Sequence, residues 1–365
     1  MKHRIIALYL PQFHPIPEND AWWGKGFTEW RNVVKAKPYF HGQYQPHLPA
    51  DLGFYDLRVP EVRAEQAKMA REHGIYGFCY YHYWFNGRLL LERPLEDMLR
   101  SKEPDFPFMI CWANENWTRV WDGGEKEILI EQAYSEEDDI NHIHYLIKFF
   151  KDPRYIRINN KPVISVYRST QFPNIKRTIE LWRTEALKEG IELYICQFES
   201  HGISGDDFMA KGIDAAIEFE PFSGIKRYCQ YNKNTNLLRR KINKIARSLT
   251  GNDMLTEKIW SYKKYVLFQL KCNMPSYKVY PGISPMWDNS ARRKKNNFIA
   301  FRGSTPELFG MWLKKIIDTF TPYSDDENFI FINAWNEWAE GNHLEPDMKY
   351  GDSYLKEVKK LTIKY

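Results

Sequence analysis

Cysteine is scarce in this sequence, and what there is of it is poorly spaced for bonding. Cys79, Cys111, Cys196, Cys229 and Cys272 are far apart, odd in number and include no CxxC pair, so reduced thiols are expected rather than disulfides or a cysteine zinc site. Long apolar runs are missing too: none approaches the roughly 18 residues of a membrane span. Neither sign of charge dominates. Against 47 acidic residues stand 52 basic ones, and the net +5 is too small to propose nucleic acid. The opening MKHRIIALYLPQFHP meets Pro11 without a small-residue cleavage pattern, so it reads as a first strand and not a signal peptide. That reading leads to the expectation of a cytoplasmic protein, at most peripheral at the inner membrane face. There is no Walker loop, no GxSxG elbow and no DxD tripeptide, which weakens the case for a nucleotide-dependent enzyme. His14, His41 and His47 share one stretch, but no HxH or HExxH spacing accompanies them, and neither a metal nor a cofactor is expected.

What the chain does have is aromatics. Its 365 residues include 13 Trp, 23 Tyr and 22 Phe, many of them beside Asn, Glu and His. That mixture suits a sugar surface, where ring C–H faces stack on aromatics and hydroxyl rims need polar partners. The alternative is a dense aromatic core.

Eight short apolar runs recur: 4–13, 74–85, 106–117, 161–168, 192–198, 214–221, 279–287 and 328–338. Between several of them lie helical patterns, at 59–74, 135–150, 175–190 and 305–320, with Pro60, Ser135, Thr305 and Pro306 placed as start signals. Strand followed by helix, repeated, means a parallel sheet, and eight units close a (β/α)₈ barrel of the TIM type as one domain over 1–365. An open doubly wound sheet would show a glycine-rich turn after the first strand, and LPQFHPIP has none. Two stretches exceed a minimal barrel. Residues 14–58 form a long first βα connection, expected as an active-site loop. A helical insertion is expected after strand six, over about 222–275; residues 226–252 hold eight Lys or Arg and no acid, and 237–249 has helical apolar spacing. This basic helix is either a packed, solvated excursion or a peripheral contact with an anionic membrane or lipid-linked glycan.

In such a barrel the carboxyl ends of all strands share one rim. They bring together Tyr9 and Gln12, His82 and Trp84, Asn114, Glu115 and Trp117, Glu220, Trp287, Trp335 and Asn336, with Trp23 from the first loop, as candidate substrate contacts. Alternation along YYHYWF sets His82 and Trp84 on one side and Tyr81 and Tyr83 on the other. Glu337 and Glu340, in FINAWNEWAEGN, are the candidate catalytic pair. If a helix starts there, residues three apart share a face at ~5–6 Å between Cβ atoms. Retaining glycoside hydrolysis uses carboxyl groups about 5–5.5 Å apart. A solvated helix start explains the same string.

Four long strings in one order, LYLPQFHPIPENDAWWGKGFTEW, GFCYYHYWFNGR, CWANENWTRVWDG and NAWNEWAEGNHLEPDMKYG, resemble the WbsX-like proteins of O-antigen and capsule biosynthesis and the glycoside hydrolase family 99-like domain. The resemblance spans essentially the whole chain and implies a (β/α)₈ fold and a retaining action on manno-configured glycans. Family 99 carries an EWHEG motif, matched here by Glu337, Trp338, Ala339, Glu340 and Gly341 with alanine in place of histidine. By that match Glu340 is the general acid/base, and Glu337 takes the proton of the sugar 2-hydroxyl as it attacks C1, or acts as a direct nucleophile. The resemblance therefore implies a glycoside hydrolase or transglycosylase acting on an oligosaccharide or polysaccharide. A glycosyltransferase of polysaccharide biosynthesis is the alternative, and a noncatalytic glycan-binding protein the third.

Overall fold

The computed structural model describes residues 3–119, 124–200, 206–231, 241–242, 244–245, 248, 258–293 and 298–363. Eight strands form its centre: β1 (Arg4–Tyr9), β2 (Gly77–Phe85), β3 (Phe108–Trp112), β4 (Lys161–Val166), β5 (Tyr194–Glu199), β6 (Ala215–Glu218), β7 in two halves (Val279–Tyr280 and Gly282–Ile283) and β8 (Phe329–Ile332). Each lies within one of the eight apolar runs, except that β5 continues one residue past 192–198, to Glu199. All neighbours are parallel, in the order of the chain, with β1 between β2 and β8. The first half of β7 pairs with β6 and the second with β8, so Pro281 alone separates the two ends of the ladder. The result is a nearly closed (β/α)₈-type barrel.

Residues that face both ring interior and helix layer must be apolar, and Ile5, Ile6, Ala7 and Leu8 are all buried. Gly77 is required at its position, because a Cβ there would lie 2.6 Å from the Pro107 carbonyl oxygen of the next strand's approach.

Ten helices surround the ring among the described residues: α1 (Pro17–Trp23), α2 (Trp30–Lys35), α3 (Pro60–Glu72), α4 (Arg93–Ser101), α5 (Glu136–Phe150), α6 (Ile175–Lys188), α7 (Phe222–Tyr231), α8 (Tyr262–Gln269), α9 (Pro306–Thr319) and α10 (Ser353–Thr362). Start signals act as the sequence implies. Ser135 Oγ accepts from the Asp138 amide at 3.1 Å, Thr305 Oγ1 from Leu308 at 3.4 Å, and Pro60 and Pro306 open their helices. Between β5 and β6 the described residues form a 3₁₀ segment, Asp206–Lys211.

The first βα connection carries α1 and α2 and is tied down across the rim. Trp30 Nε1 donates to the Tyr55 carbonyl at 2.8 Å, and Gln43 Nε2 to Asp288 Oδ2 at 2.7 Å. After β6 come α7 and α8, where a helical insertion was expected. Most of the basic run 237–249 lies outside the described residues; of its apolar positions Ile242 is half-buried and Ile245 exposed.

Candidate active site

Beyond β8 the chain does not enter an α-helix at NEWAEG. Asn336–Glu337 pairs antiparallel with Asn342–His343, and between them Trp338–Glu340 makes a single 3₁₀ turn closed by Gly341 at φ +52°. In a 3₁₀ turn residues i and i+3 eclipse, so Glu337 and Glu340 project from one side more directly than α-helical spacing gives. Asn336 fastens this turn to the end of β1. Its Oδ1 accepts from the Leu10 amide at 2.7 Å and its Nδ2 donates to the Leu10 carbonyl at 3.0 Å. Underneath, Glu345 accepts from Tyr55, Gln66 and Trp338 at 2.8, 2.6 and 2.6 Å.

Both carboxylates meet one guanidinium. Arg292 Nη2 donates to Glu337 Oε2 at 2.7 Å and Nη1 to Glu340 Oε1 at 2.9 Å. A third carboxylate, Glu29 at the N-cap of α2, receives Nε and Nη2 of the same arginine at 3.2 and 3.1 Å. One buried cation facing three acids cannot neutralise them all, and an arginine does not give up its proton. Burial, resisted by Arg292 and reinforced by Glu340 and Glu29, pushes the Glu337 carboxyl up to about 8. Burial raises Glu340 as well, against Arg292 and Arg293, and raises Glu29 against Arg292. The arrangement therefore holds at least one proton on a carboxyl group at neutral pH. The second oxygens, Glu337 Oε1 and Glu340 Oε2, accept no hydrogen bond from any described residue.

The pair lies on the wall of a cleft of about 600 Å³ at the rim, shared with Gln12, Glu115, Trp117 and Trp287 from the sequence-derived set. Gln12 is fully buried, yet neither end of its amide has a partner among the described residues. Glu115, raised by burial, pairs with Arg168 at 3.3 Å.

The remaining candidates do not line this cleft. Tyr9 packs behind β1 and donates to Gln66 at 2.7 Å. His82 lies 3.0 Å from His142, and Trp84 donates to Asp138 at 3.0 Å; both face α5, not the barrel mouth. Asn114 staples two loops through Tyr134 and the Arg168 backbone. Glu220 sits under α8, bound by Tyr265 and Gln269 and pushed up to about 8 by burial and Glu218. Trp335 is buried against Phe78, Asn336 anchors the turn, and Trp23 packs on Phe27 in a small cluster that includes Trp117.

Glu29, Arg292, Tyr81 and Tyr83 are not among the candidates that the sequence offers, yet they stand at this site. The alternation along β2 has the expected parity, but Tyr81 and Tyr83, not His82 and Trp84, face the cleft. Arg292 belongs to the basic string ARRKK, which reads as a solvated surface. Glu29 was visible only as part of the GFTEW string.

Comparison with known proteins agrees with this architecture. A family model described as glycosyltransferase WbsX matches residues 5–358. The chain belongs to the WbsX family. The WxcX protein of Xanthomonas campestris pv. campestris strain B100, itself uncharacterised, is 40% identical over 353 residues, covering 96% of this chain and 48% of WxcX. The chain thus spans about half the length of the curated relative it matches. In fold it is similar to the GH99 endo-α-mannosidase of Bacteroides thetaiotaomicron (TM-score 0.59, 13% identity, 99% of this chain and 96% of that one). It is similar also to a glycoside hydrolase-like protein (TM-score 0.55, 14% identity, 99% and 94%). At such identity the likeness concerns the fold alone. No helix among the described residues is long and apolar enough to cross a membrane.

Proposed function

We propose that this WbsX-family chain is a retaining glycoside hydrolase or transglycosylase for a manno-configured glycan, with Glu337 and Glu340 as its catalytic pair. The observation that carries the reading is the shared guanidinium: Arg292 touches one oxygen of each carboxylate and leaves the other oxygen of each, unbonded by any described residue, beside an aromatic cleft. Two carboxylates on one guanidinium are near neighbours, which suits the ~5–5.5 Å separation of retaining enzymes better than the wider gap that admits water for inversion. Tyr81, Tyr83, Trp117, Tyr167 and Trp287 offer the stacking faces and hydroxyls that a sugar needs.

In the first step Glu340, protonated, gives its proton to the glycosidic oxygen, which leaves with the C1–O bonding pair. Glu337, ionised, takes the 2-hydroxyl proton as O2 attacks C1 and a 1,2-anhydro sugar forms. In the second step water or an acceptor hydroxyl attacks C1 and passes its proton to Glu340, while the O2–C1 bond breaks and O2 regains the proton held by Glu337. One proton per pair is needed throughout, as burial and mutual repulsion favour. In the free protein Glu337 is the member of the pair raised more by its surroundings, so the cycle requires substrate to redistribute that proton. A sugar hydroxyl donating to Glu337 stabilises its ionised form, and closing the cleft over Glu340 favours its acid form.

Glycosyl transfer from an activated donor is the second reading. It is supported by the family description and by Lys258 and Arg293, cations on the same cleft wall that suit a donor phosphate. The two separate in one experiment, in which manno-oligosaccharides and nucleotide- or lipid-linked sugar donors are offered to the purified protein and products are followed by proton NMR. Cleavage or transglycosylation without an activated donor, with the anomeric configuration kept, is the expected result. Product formation only with a phosphorylated donor overturns the hydrolase reading.

A further inference from the structure

Behind the turn that carries Glu340 lies a second polar cluster, to which the proposed glycan chemistry gives no task. His47, from the first βα connection, places Nδ1 2.9 Å from Nε2 of His343, 296 positions away, and Asp347 Oδ2 lies 3.8 Å from the same Nε2. All three residues are buried, and their nearest ligand atoms fall within 4.8 Å of one another. The outward-facing atoms are already committed. His343 Nδ1 is 3.0 Å from the Glu345 carbonyl, so it carries the proton and leaves the Nε2 lone pair pointing into the cluster. Asp347 Oδ1 accepts from the amides of Lys349 and Tyr350 at 2.9 and 2.6 Å, which aims Oδ2 inward, toward His343 Nε2 and with the Tyr44 hydroxyl as its polar neighbour.

An imidazole fixed through its other nitrogen by a backbone carbonyl, and a carboxylate fixed through its other oxygen by two amides, is the outer-shell pattern found around metal ligands. With its proton on Nδ1, His343 Nε2 can accept from His47 Nδ1 but offers nothing to Asp347 Oδ2, an acceptor 3.8 Å away. A hydrogen-bond network alone joins His47 to His343 and leaves Asp347 Oδ2 to the Tyr44 hydroxyl, without drawing the three together. A cation satisfies all three. With metal–nitrogen distances of ~2.0–2.1 Å the two imidazole nitrogens need part by only a few tenths of an ångström to reach a tetrahedral angle. A cavity of about 60 Å³ adjoins the cluster, lined in part by Tyr44, His47, Gly341 and Tyr350, with room for a water as fourth ligand.

We infer that His47, His343 and Asp347 form a binding site for one divalent cation of the zinc class. Two imidazoles and one carboxylate with an open fourth position match the donor preferences of that class and not of calcium or magnesium, which take oxygen sets. Sequence spacing hid it, because the ligands come from opposite ends of the chain. Its role is structural: His47 packs against Gly341, where an added Cβ would come 3.2 Å from His47 Nε2, so the ion clamps the first βα connection to the turn that presents Glu340.

The test uses the whole purified chain, stripped with a chelator and titrated with Zn²⁺ alone and Co²⁺ alone. The expected result is one equivalent bound, a rise in Tm on loading, and visible absorption typical of four-coordinate cobalt. X-ray absorption of the zinc-loaded wild type is expected to show two imidazoles and two oxygen donors at about 2.0–2.1 Å. Asp347→Asn and His47→Gln should each weaken binding by on the order of 100-fold or more, whereas His14→Asn, at a buried histidine outside the cluster, should leave it unchanged. No stoichiometric binding by the wild type, a first shell with fewer than two imidazoles, or binding retained in both ligand variants would overturn the assignment. The wild-type titration and spectrum decide the matter even if a variant fails to fold.

Discussion

At the scale of single residues, the centre of the molecule is an arginine that holds three acids, and its consequences are measurable in stability as well as activity. Glu337 has a folded pKa of about 8, above the ordinary carboxylate value. A group raised in this way favours folding most below its unfolded pKa and loses that contribution as pH climbs toward the folded one. Glu337→Gln, which cannot ionise, is therefore expected to gain stability relative to wild type between about pH 4.5 and pH 8. Thermal melts of both proteins across that range check it, and a difference that is flat or shrinks with pH contradicts the burial argument. Gln12 gives the complementary case. Its amide is buried with neither end satisfied, so Gln12→Ala removes a desolvated group that contributes nothing to the free protein. Unchanged or higher Tm with KM raised about tenfold is expected; a loss of several degrees with KM intact would make Gln12 a structural residue instead. His82 and Trp84 differ, because their partners lie in α5.

Among elements, the 3₁₀ turn at Trp338–Glu340 shows what sequence reasoning could and could not reach. The eight strands were legible because buried parallel strands are short and apolar on both faces, and several helices because Ser135, Thr305, Pro60 and Pro306 carry their own start signals. The acidic pair was legible as a pair, since spacing by three puts side chains together in either helix type. What was hidden is tertiary. Alternation along β2 distinguishes two faces without saying which one meets the cleft, and nothing local ties Glu29, Arg292 and Glu337 together. The metal cluster was hidden for the same reason. Gly341 is the element's weak point: at φ +52° a side chain is strained, and its Cβ would come 3.0 Å from the Asp288 carbonyl oxygen. Gly341→Ala is expected to cost ~1–2 kcal/mol in denaturant unfolding and to lower kcat more than it raises KM, because the turn that aims Glu340 must shift. Equal stability and full kcat would show the turn to be tolerant.

For the molecule as a whole, a barrel joined through the split strand β7 gathers residues from both ends of the chain at one rim, with the first βα connection folded over it. The cleft encloses about 600 Å³, and its aromatic walls lie beside a carboxylate pair whose burial favours the protonated form. The central claim is that this pair divides acid and 2-hydroxyl work between Glu340 and Glu337. The most direct test is turnover of manno-configured aryl glycosides with graded leaving groups by wild type, E337Q and E340Q. On poor leaving groups E340Q should lose ~10²–10⁴-fold in kcat/KM, recovering toward wild type as the leaving group needs less protonation. E337Q should be impaired across the whole series. Activity that survives in both variants, or a leaving-group dependence that belongs to E337Q and not E340Q, would contradict the account.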